Sequence, residues 1–264
     1  MKRILMTGAS GNLGRALRAA LSGWVDELRL SDIAPIDDLA EGESFVQCDL
    51  GDYDSVQALL EGCDGVIHLG GISIEGTFDS ILNGNIRGTY NIYEACRRLN
   101  VSRVVFASSN HVIGFHDRET LLDADSAMRP DSMYGVSKGF GELLARYYYD
   151  KYGVESALVR IGWCGEKPLD RRTMSTWLSV NDFSRLIKTV FSADRLGCPV
   201  VYGVSDNASK WWDNRKVNYL GWHPEDSSDV FAQEPYILDE VTDPNDPAIR
   251  FQGGGFAAAG HFED

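Results

Sequence analysis

The chain has 264 residues, 44% of them apolar, and its 39 acidic against 25 basic side chains give a formal charge of −14. The apolar share supports one large α/β domain, or a core with a small appended lobe, and excludes a disordered chain. The acidity excludes the basic footprint of a nucleic-acid binder, and no apolar run approaches the ~20 residues of a membrane span.

In chain order, residues 2–7 are a short apolar run rich in β-formers. Gly8-Ala-Ser-Gly11-Asn-Leu-Gly14 follows at once, then helical periodicity over residues 15–21. Strand, glycine turn and helix in that order predict backbone amides that approach a pyrophosphate at a helix N-terminus. A second strand, 27–30, ends at Ser31-Asp32. Asp32 lies eighteen residues after Gly14, where an acid accepts hydrogen bonds from a ribose 2′-hydroxyl, and no Arg or Lys follows within residues 33–43 to offset a 2′-phosphate. That points to NAD over NADP; a capping or loop aspartate is the alternative reading. Residues 44–48 read as a third strand ending in Asp49-Leu50. Asp49 is expected to cap a helix over 55–62, to reach the adenine amino group, or both. Residues 65–69 form a fourth, almost wholly apolar strand with His68 as a core histidine, and Gly70-Gly71 at its end leave room for cofactor phosphates. Ser73 follows on the side where α/β sheets bind ligands.

Residues 81–99 read as a long amphipathic helix containing Asn83, Asn85 and Asn91. Asn85 fits two roles, ordering the helix through backbone contacts or positioning a water near Lys138. A fifth strand, 103–107, leads into Ser108-Ser109-Asn110-His111. Pro130 precedes a helix from Tyr134 to about residue 152, and a sixth strand covers 157–161. This alternation predicts an α/β fold with a Rossmann-type doubly wound parallel sheet over residues 1–162. Beyond it lie a polar loop (162–173), a helix from about 180 to 193, a strand at 199–202 and an aromatic stretch with Trp211, Trp212, Tyr219 and Trp222. The tail carries Phe251-Gln-Gly-Gly-Gly-Phe256. Residues 163–264 are expected to complete the sheet's edge and cover the substrate site within one structural domain. The Tyr147-Tyr148-Tyr149 run is expected to serve core and interface packing. Residues 1–7 enter a strand pattern with no apolar leader, so an unprocessed, cytoplasmic protein is expected. Cys48, Cys63, Cys96, Cys164 and Cys198 are scattered without a Cys-x-x-Cys pair and read as reduced core residues; no metal is expected.

Tyr134-Gly-Val-Ser-Lys138 puts a phenol and an ammonium on one helix face, a turn apart. A phenol with a pKa near ~10 is a poor base at neutral pH, and a nearby ammonium favours the phenolate. The pair suits removal of an alcohol proton where a cofactor takes the hydride. The spacing alone is a weak signal; the glycine turn and Asp32 upstream give it weight.

The Gly8/Gly11/Gly14 turn, Asp32, Ser109 and Tyr134/Lys138 together resemble the short-chain dehydrogenase/reductase superfamily. Asn85-Ile-Arg-Gly-Thr89 and Leu220-Gly-Trp222 resemble its extended, sugar-acting branch. His68-Leu-Gly-Gly-Ile-Ser73, Val105-Phe-Ala-Ser-Ser-Asn-His111, Trp211-Trp-Asp-Asn214 and Phe251-Gln-Gly-Gly are similar to bacterial uronate dehydrogenases, over essentially the whole chain. The resemblance implies NAD-dependent oxidation of the anomeric carbon of D-glucuronate or D-galacturonate to the aldarolactone, in a homo-oligomer. It implies Tyr134 as the base for the C1 hydroxyl, Lys138 lowering its pKa and holding the nicotinamide ribose, and Ser109 bonding the reacting oxygen. It implies cofactor contacts at Gly8, Gly11, Asn12, Leu13, Gly14, Asp32, Asp49, Leu50, Leu69, Gly70, Gly71, Asn85, Ile161 and Cys164. Sugar contacts are implied at Ser73, Asn110 and His111, with Arg172 gripping the carboxylate. Beside it, Arg171 adds a second cation to the loop, and Phe256 lies in a glycine-rich tail expected to fold over the sugar.

One position departs from the family. Trp163, in Arg160-Ile-Gly-Trp163-Cys164, stands where a small hydroxyl residue contacts the substrate. Either the indole lies beside the carboxylate end and changes which acid is held, for example a sugar sulfonate, or it points away and packs under the tail. A sugar epimerase or dehydratase of the same branch is the other functional reading. The short C-terminal segment, and the lack of a Thr-Asp-Glu-type triplet at Ser108-Ser109-Asn110, speak against it. A non-catalytic nucleotide sensor would have lost the Tyr/Lys pair.

Overall fold

The computed structural model describes residues 2–240 and 242–262. β1 (Arg3–Thr7) runs into the glycine turn, and α1 (Asn12–Ala20) packs Leu17 into the core. β2 (Glu27–Asp32), β3 (Glu43–Gln47), α2 (Tyr53–Leu60) and β4 (Gly65–His68) follow. The helix expected over 55–62 starts two residues earlier because its cap is Asp52, whose side chain accepts from Asp54 N, and not Asp49. Asp49 bonds the Gly51 amide instead, at 2.8 Å. The long helix expected over 81–99 begins at α3 (Phe78–Ile81), capped by Thr77. It passes through a π-type stretch, Leu82–Arg87, and continues as α4 (Gly88–Leu99). β5 (Arg103–Ser109), α5 (Met133–Tyr152) and β6 (Glu155–Ile161) complete the first part. Ser132 caps α5 through the Gly135 amide, and Gly153 ends it in the left-handed region that favours glycine.

The stretch read as a polar loop is more ordered than its composition suggests. β7 (Trp163–Cys164) pairs in parallel with β8 (Trp177–Leu178). Between them lies α6 (Arg171–Met174), started by a capping box of Asp170 and Thr173. α7 (Val180–Ser192) and β9 (Val200–Gly203) follow.

The main sheet has seven strands in the order β3-β2-β1-β4-β5-β6-β9, every neighbouring pair parallel. β9 thus extends the sheet from the C-terminal segment. The chain reverses direction across the sheet between β1 and β4, and the crevice at that switch point lies outside the strands' C-terminal ends. One core layer joins α1 and α7 to the sheet through Ile4, Met6, Leu17, Phe183 and Ile187. The other joins α2, α4 and α5 through Leu5, Val56, Ile92, Phe106 and Tyr148. Tyr148 stacks on Tyr93 and donates to Glu94, while Tyr147 is exposed. His68 is buried between Thr7 and Thr89, and burial first, then Lys138, pushes its pKa down to about 3, so it is a neutral core residue. All five cysteines are free, four of them buried and Cys164 half-buried. Among the described residues no group of side chains could hold a metal ion, and no helix is long and apolar enough to cross a membrane.

Candidate active site

On the cofactor side, Gly8 has φ 71°, and a Cβ there would meet the backbone of Leu69 and Gly70 at 2.8 Å. The turn after β1 therefore closes directly onto the end of β4, as only glycine allows. Gly11 is the N-cap of α1 and supplies no side-chain cap, so the helix start at Asn12 and Leu13 keeps amides for an anion. Asp32, at the end of β2, is oriented by the Ser10 amide (3.0 Å) and the Ala34 amide (3.2 Å). Each carboxylate oxygen keeps a lone pair that can accept from a ribose hydroxyl. Leu50 and Gly70 pack together so closely that a Cβ on Gly70 would lie 2.6 Å from Leu50 Cδ1. Leu69 bonds the Thr7 carbonyl, and Gly71 is exposed beside them. Asp49 is exposed beyond this group, and Ile161 and Cys164 are half-buried at the end of β6 and in β7. This Cβ-free cradle, with an uncapped helix start and an acid beside it, fits a dinucleotide with a free 2′-hydroxyl. Asn85 bonds a neighbouring loop, not its own helix: it accepts from Ile72 N (2.7 Å) and donates to Ile72 O (3.0 Å) and Ser137 Oγ (2.9 Å). It clamps the loop after β4 to α5 from within the π-type stretch, a distortion common at functional sites.

On the reaction side, Tyr134 is buried and hydrogen-bonded to Ser109, whose Oγ also accepts from the His111 amide at 3.2 Å. Lys138 Nζ lies 5.7 Å from the Tyr134 ring centre and 5.2 Å above the Phe106 ring. Burial pushes the Tyr134 phenol up to about 12, with the Ser109 bond opposing and the Asp131 charge adding. Burial also pulls Lys138 down to about 8. A lowered Tyr134 pKa was expected, and in this structure it is raised, with desolvation by burial the largest cause.

The sugar-side candidates converge from four segments. His111 Nδ1 lies 2.9 Å from Asp131 Oδ2, and Phe256 stacks on the His111 ring at 4.0 Å and meets Tyr134 edge-on at 6.2 Å. Asn110 Nδ2 donates to Gln252 O at 3.2 Å, and Arg172 Nη2 donates to the same oxygen at 2.8 Å. Arg172 Nε is buried with no hydrogen-bond partner among the described residues, and burial lowers its pKa against the charges of Asp170 and Asp131. Ser73 is exposed on the loop after β4, where Glu75 reaches the Tyr134 amide at 3.4 Å. Arg171 does not join this group. Its guanidinium bonds the Ile237 and Leu238 carbonyls, so the expected second cation faces another segment. Trp163 is half-buried, and its indole N–H bonds Lys167 O at 2.8 Å, closing its own loop. Sequence reasoning missed Asp131, Glu75 and the role of Gln252. Asp131 sits in an ordinary Pro-Asp-Ser helix start, and no spacing rule marks it.

The chain matches the model of the NAD dependent epimerase/dehydratase family over residues 4–180. It is 52% identical to the uronate dehydrogenase of Agrobacterium fabrum over 97% of both chains. The chain belongs to the uronate dehydrogenase family. Among solved structures, glucuronic acid dehydrogenase from Chromohalobacter salexigens superposes with a TM-score of 0.97 at 50% identity, covering 100% of this chain and 99% of that one. A mutant uronate dehydrogenase from Agrobacterium tumefaciens, complexed with NAD, gives 0.96 at 50% identity, covering 99% of each. A UDP-galactose 4-epimerase, at 21% identity and a TM-score of 0.67, shares the fold alone.

Proposed function

We propose that the protein oxidises C1 of a hexuronate, D-glucuronate or D-galacturonate, to the aldarolactone, with NAD as cofactor. The observation that carries this reading is the half-buried Arg172, whose Nε–H is buried and unpaired, joined through Gln252 O and Asn110 to the Ser109–Tyr134 site of a uronate dehydrogenase-family chain. An unpaired buried N–H calls for an acceptor, and a guanidinium fork suits a carboxylate.

The glycine turn and Asp32 hold the cofactor, and Lys138 holds its nicotinamide ribose. Bound NAD supplies the hydride acceptor and, at its nicotinamide, a positive charge. Tyr134 Oη takes the proton of the C1 hydroxyl while Ser109 Oγ keeps the reacting oxygen in place. A positive charge near a phenol favours its ionised form, and Lys138, 5.7 Å from the Tyr134 ring centre, is the charge this chain supplies. A hemiacetal carries its acidic proton and its hydride on one carbon, so one base suffices. Positioning provides much of the rate, and general-base help ~10²–10⁴-fold. Ser73, Asn110 and His111 hold sugar hydroxyls, Phe256 covers the ring, and residues 163–264 act as the substrate-covering part of the domain. Trp163, with its N–H engaged by Lys167, narrows the site by bulk and offers the sugar no hydroxyl. Self-association is part of the same reading: Tyr90 of α4 and Val136, Leu143 and Tyr147 along α5 leave an apolar strip exposed.

The test is nicotinamide absorbance with NAD or NADP and a panel of glucuronate, galacturonate, neutral aldoses and sulfonated sugars. Turnover of a uronate with NAD is expected. Reaction of a sulfonated sugar but neither uronate would overturn the named substrate, and equal turnover with NADP would overturn the role of Asp32.

A further inference from the structure

The tail motif Phe251-Gln-Gly-Gly-Gly-Phe256 has no catalytic group, yet its Gln252 is firmly held at the site. Gln252 is fully buried. Its Oε1 accepts from Trp212 Nε1 at 2.8 Å, its Nε2 donates to Thr120 O at 2.9 Å and Asp117 O at 3.3 Å, and its amide donates to His116 O at 2.9 Å. Both amide hydrogens and the amide oxygen are therefore matched, which fixes the residue's main chain. The one group of Gln252 directed to the site is its carbonyl, and its two lone pairs meet Arg172 Nη2 and Asn110 Nδ2. The two residues that follow make room for Asp131 and Arg172. A Cβ on Gly253 would lie 1.7 Å from Asp131 Oδ2, and one on Gly254, at φ 65°, would lie 2.5 Å from Arg172 Nε.

We propose that Gln252 is a positioning residue that sets the sugar-acid preference of the site, seating Arg172 and Asn110 on one main-chain oxygen. This role rests on the uronate reading above. A carbonyl suits it better than a carboxylate. It orients the guanidinium without neutralising it, so the full charge, and the unpaired Nε–H, remain for the anion. An aspartate in that place would compete with the substrate.

The experiment is a double-mutant cycle in kcat/KM with D-galacturonate and NAD on the full chain: wild type, Gln252→Ala, Arg172→Ala and the double variant. Gln252→Ala is expected to raise KM about tenfold or more, with kcat and the NAD Kd within about threefold of wild type. In the Arg172→Ala background the same change should shrink to about threefold, the part carried by Asn110. An equal effect in both backgrounds, or an unchanged KM, overturns the role, because a merely structural residue would lose activity whether or not Arg172 is present. Trp212→Phe removes only the donor to Gln252 Oε1 and keeps Gln252 itself, so it should show a smaller KM rise with the same dependence on Arg172; a background-independent loss there also overturns the role. This second variant takes the place of Gln252→Ala in the cycle if that variant does not fold. Absence of wild-type turnover with either uronate would overturn the functional reading and this role with it, whereas the other negative outcomes overturn the role alone.

Discussion

At the scale of single residues, the site is defined by groups held away from their solution behaviour. Lys138 is buried and its pKa falls from 10.5 to about 8, so between those values the unfolded chain binds a proton that the folded chain does not. Stability therefore rises with pH across that window, and at pH 7 the buried charge costs on the order of 3 kcal/mol. Lys138→Met is expected to melt above the wild type at pH 7, with the gap closing toward pH 10; thermal melts at pH 7, 8.5 and 10 check this, and a constant gap would refute it. Tyr134 works the other way only above its ordinary value of 10.0, since its folded pKa is the higher one. Tyr134→Phe should cut kcat ~10²–10⁴-fold while NAD binding, followed by fluorescence, stays near wild type. Collapse of NAD binding in that variant would contradict the placement of Tyr134 at the sugar.

At the scale of elements, Asn85 shows how a helix distortion serves the site. The π-type stretch turns its amide into the loop after β4, where three hydrogen bonds join that loop to α5. Asn85→Ala leaves the Ile72 backbone groups without these partners, and should cost about 2–4 kcal/mol in denaturant unfolding and weaken NAD binding. The π-type stretch was not legible in the sequence, because one inserted residue barely disturbs a 3.6-residue apolar pattern. Strong periodicity did reveal β1, β4, β6, α5 and α7 to within one to three residues. The α2 start was missed because Asp49 and Asp52 are both acceptable caps, and only backbone geometry chooses between them. β7, β8 and α6 are two to four residues long and are held by tertiary contacts that local pattern does not encode. The site followed the same division. Tyr134, Lys138 and Ser109 were legible because fixed spacing on known elements carries them. Arg171 and Arg172 are adjacent cations, and ~100° of helix rotation sends one to the Ile237 and Leu238 carbonyls and the other inward. Gln252 was visible as a letter in a motif, but its partners lie 40 to 142 residues away in the chain.

At the scale of the whole molecule, one buried ion pair ties the sheet to α5 and the C-terminal segment. Arg160 on β6 makes two bonds to Glu142 on α5, at 2.9 and 2.8 Å, and both residues are 2% exposed. Ser108 on β5 and Tyr202 on β9 complete the group, and Tyr202 reaches the Asp123 carbonyl. Arg160→Met strands the Glu142 carboxylate and should destabilise the fold by about 3–5 kcal/mol, whereas Glu142→Leu with Arg160→Met should recover most of that loss in the same unfolding assay. A double variant as unstable as the single would refute the pairing. The seat for Arg172 has a consequence in time. Cys164 is the last of the proposed coenzyme contacts and Gln252 closes the sugar grip, so at ~5–20 residues per second the ribosome delivers the second on the order of ten seconds after the first. A nascent chain thus acquires the groups that hold the coenzyme before it acquires the means to choose a substrate, and a translation product cut short of residue 252 would keep the former without the latter.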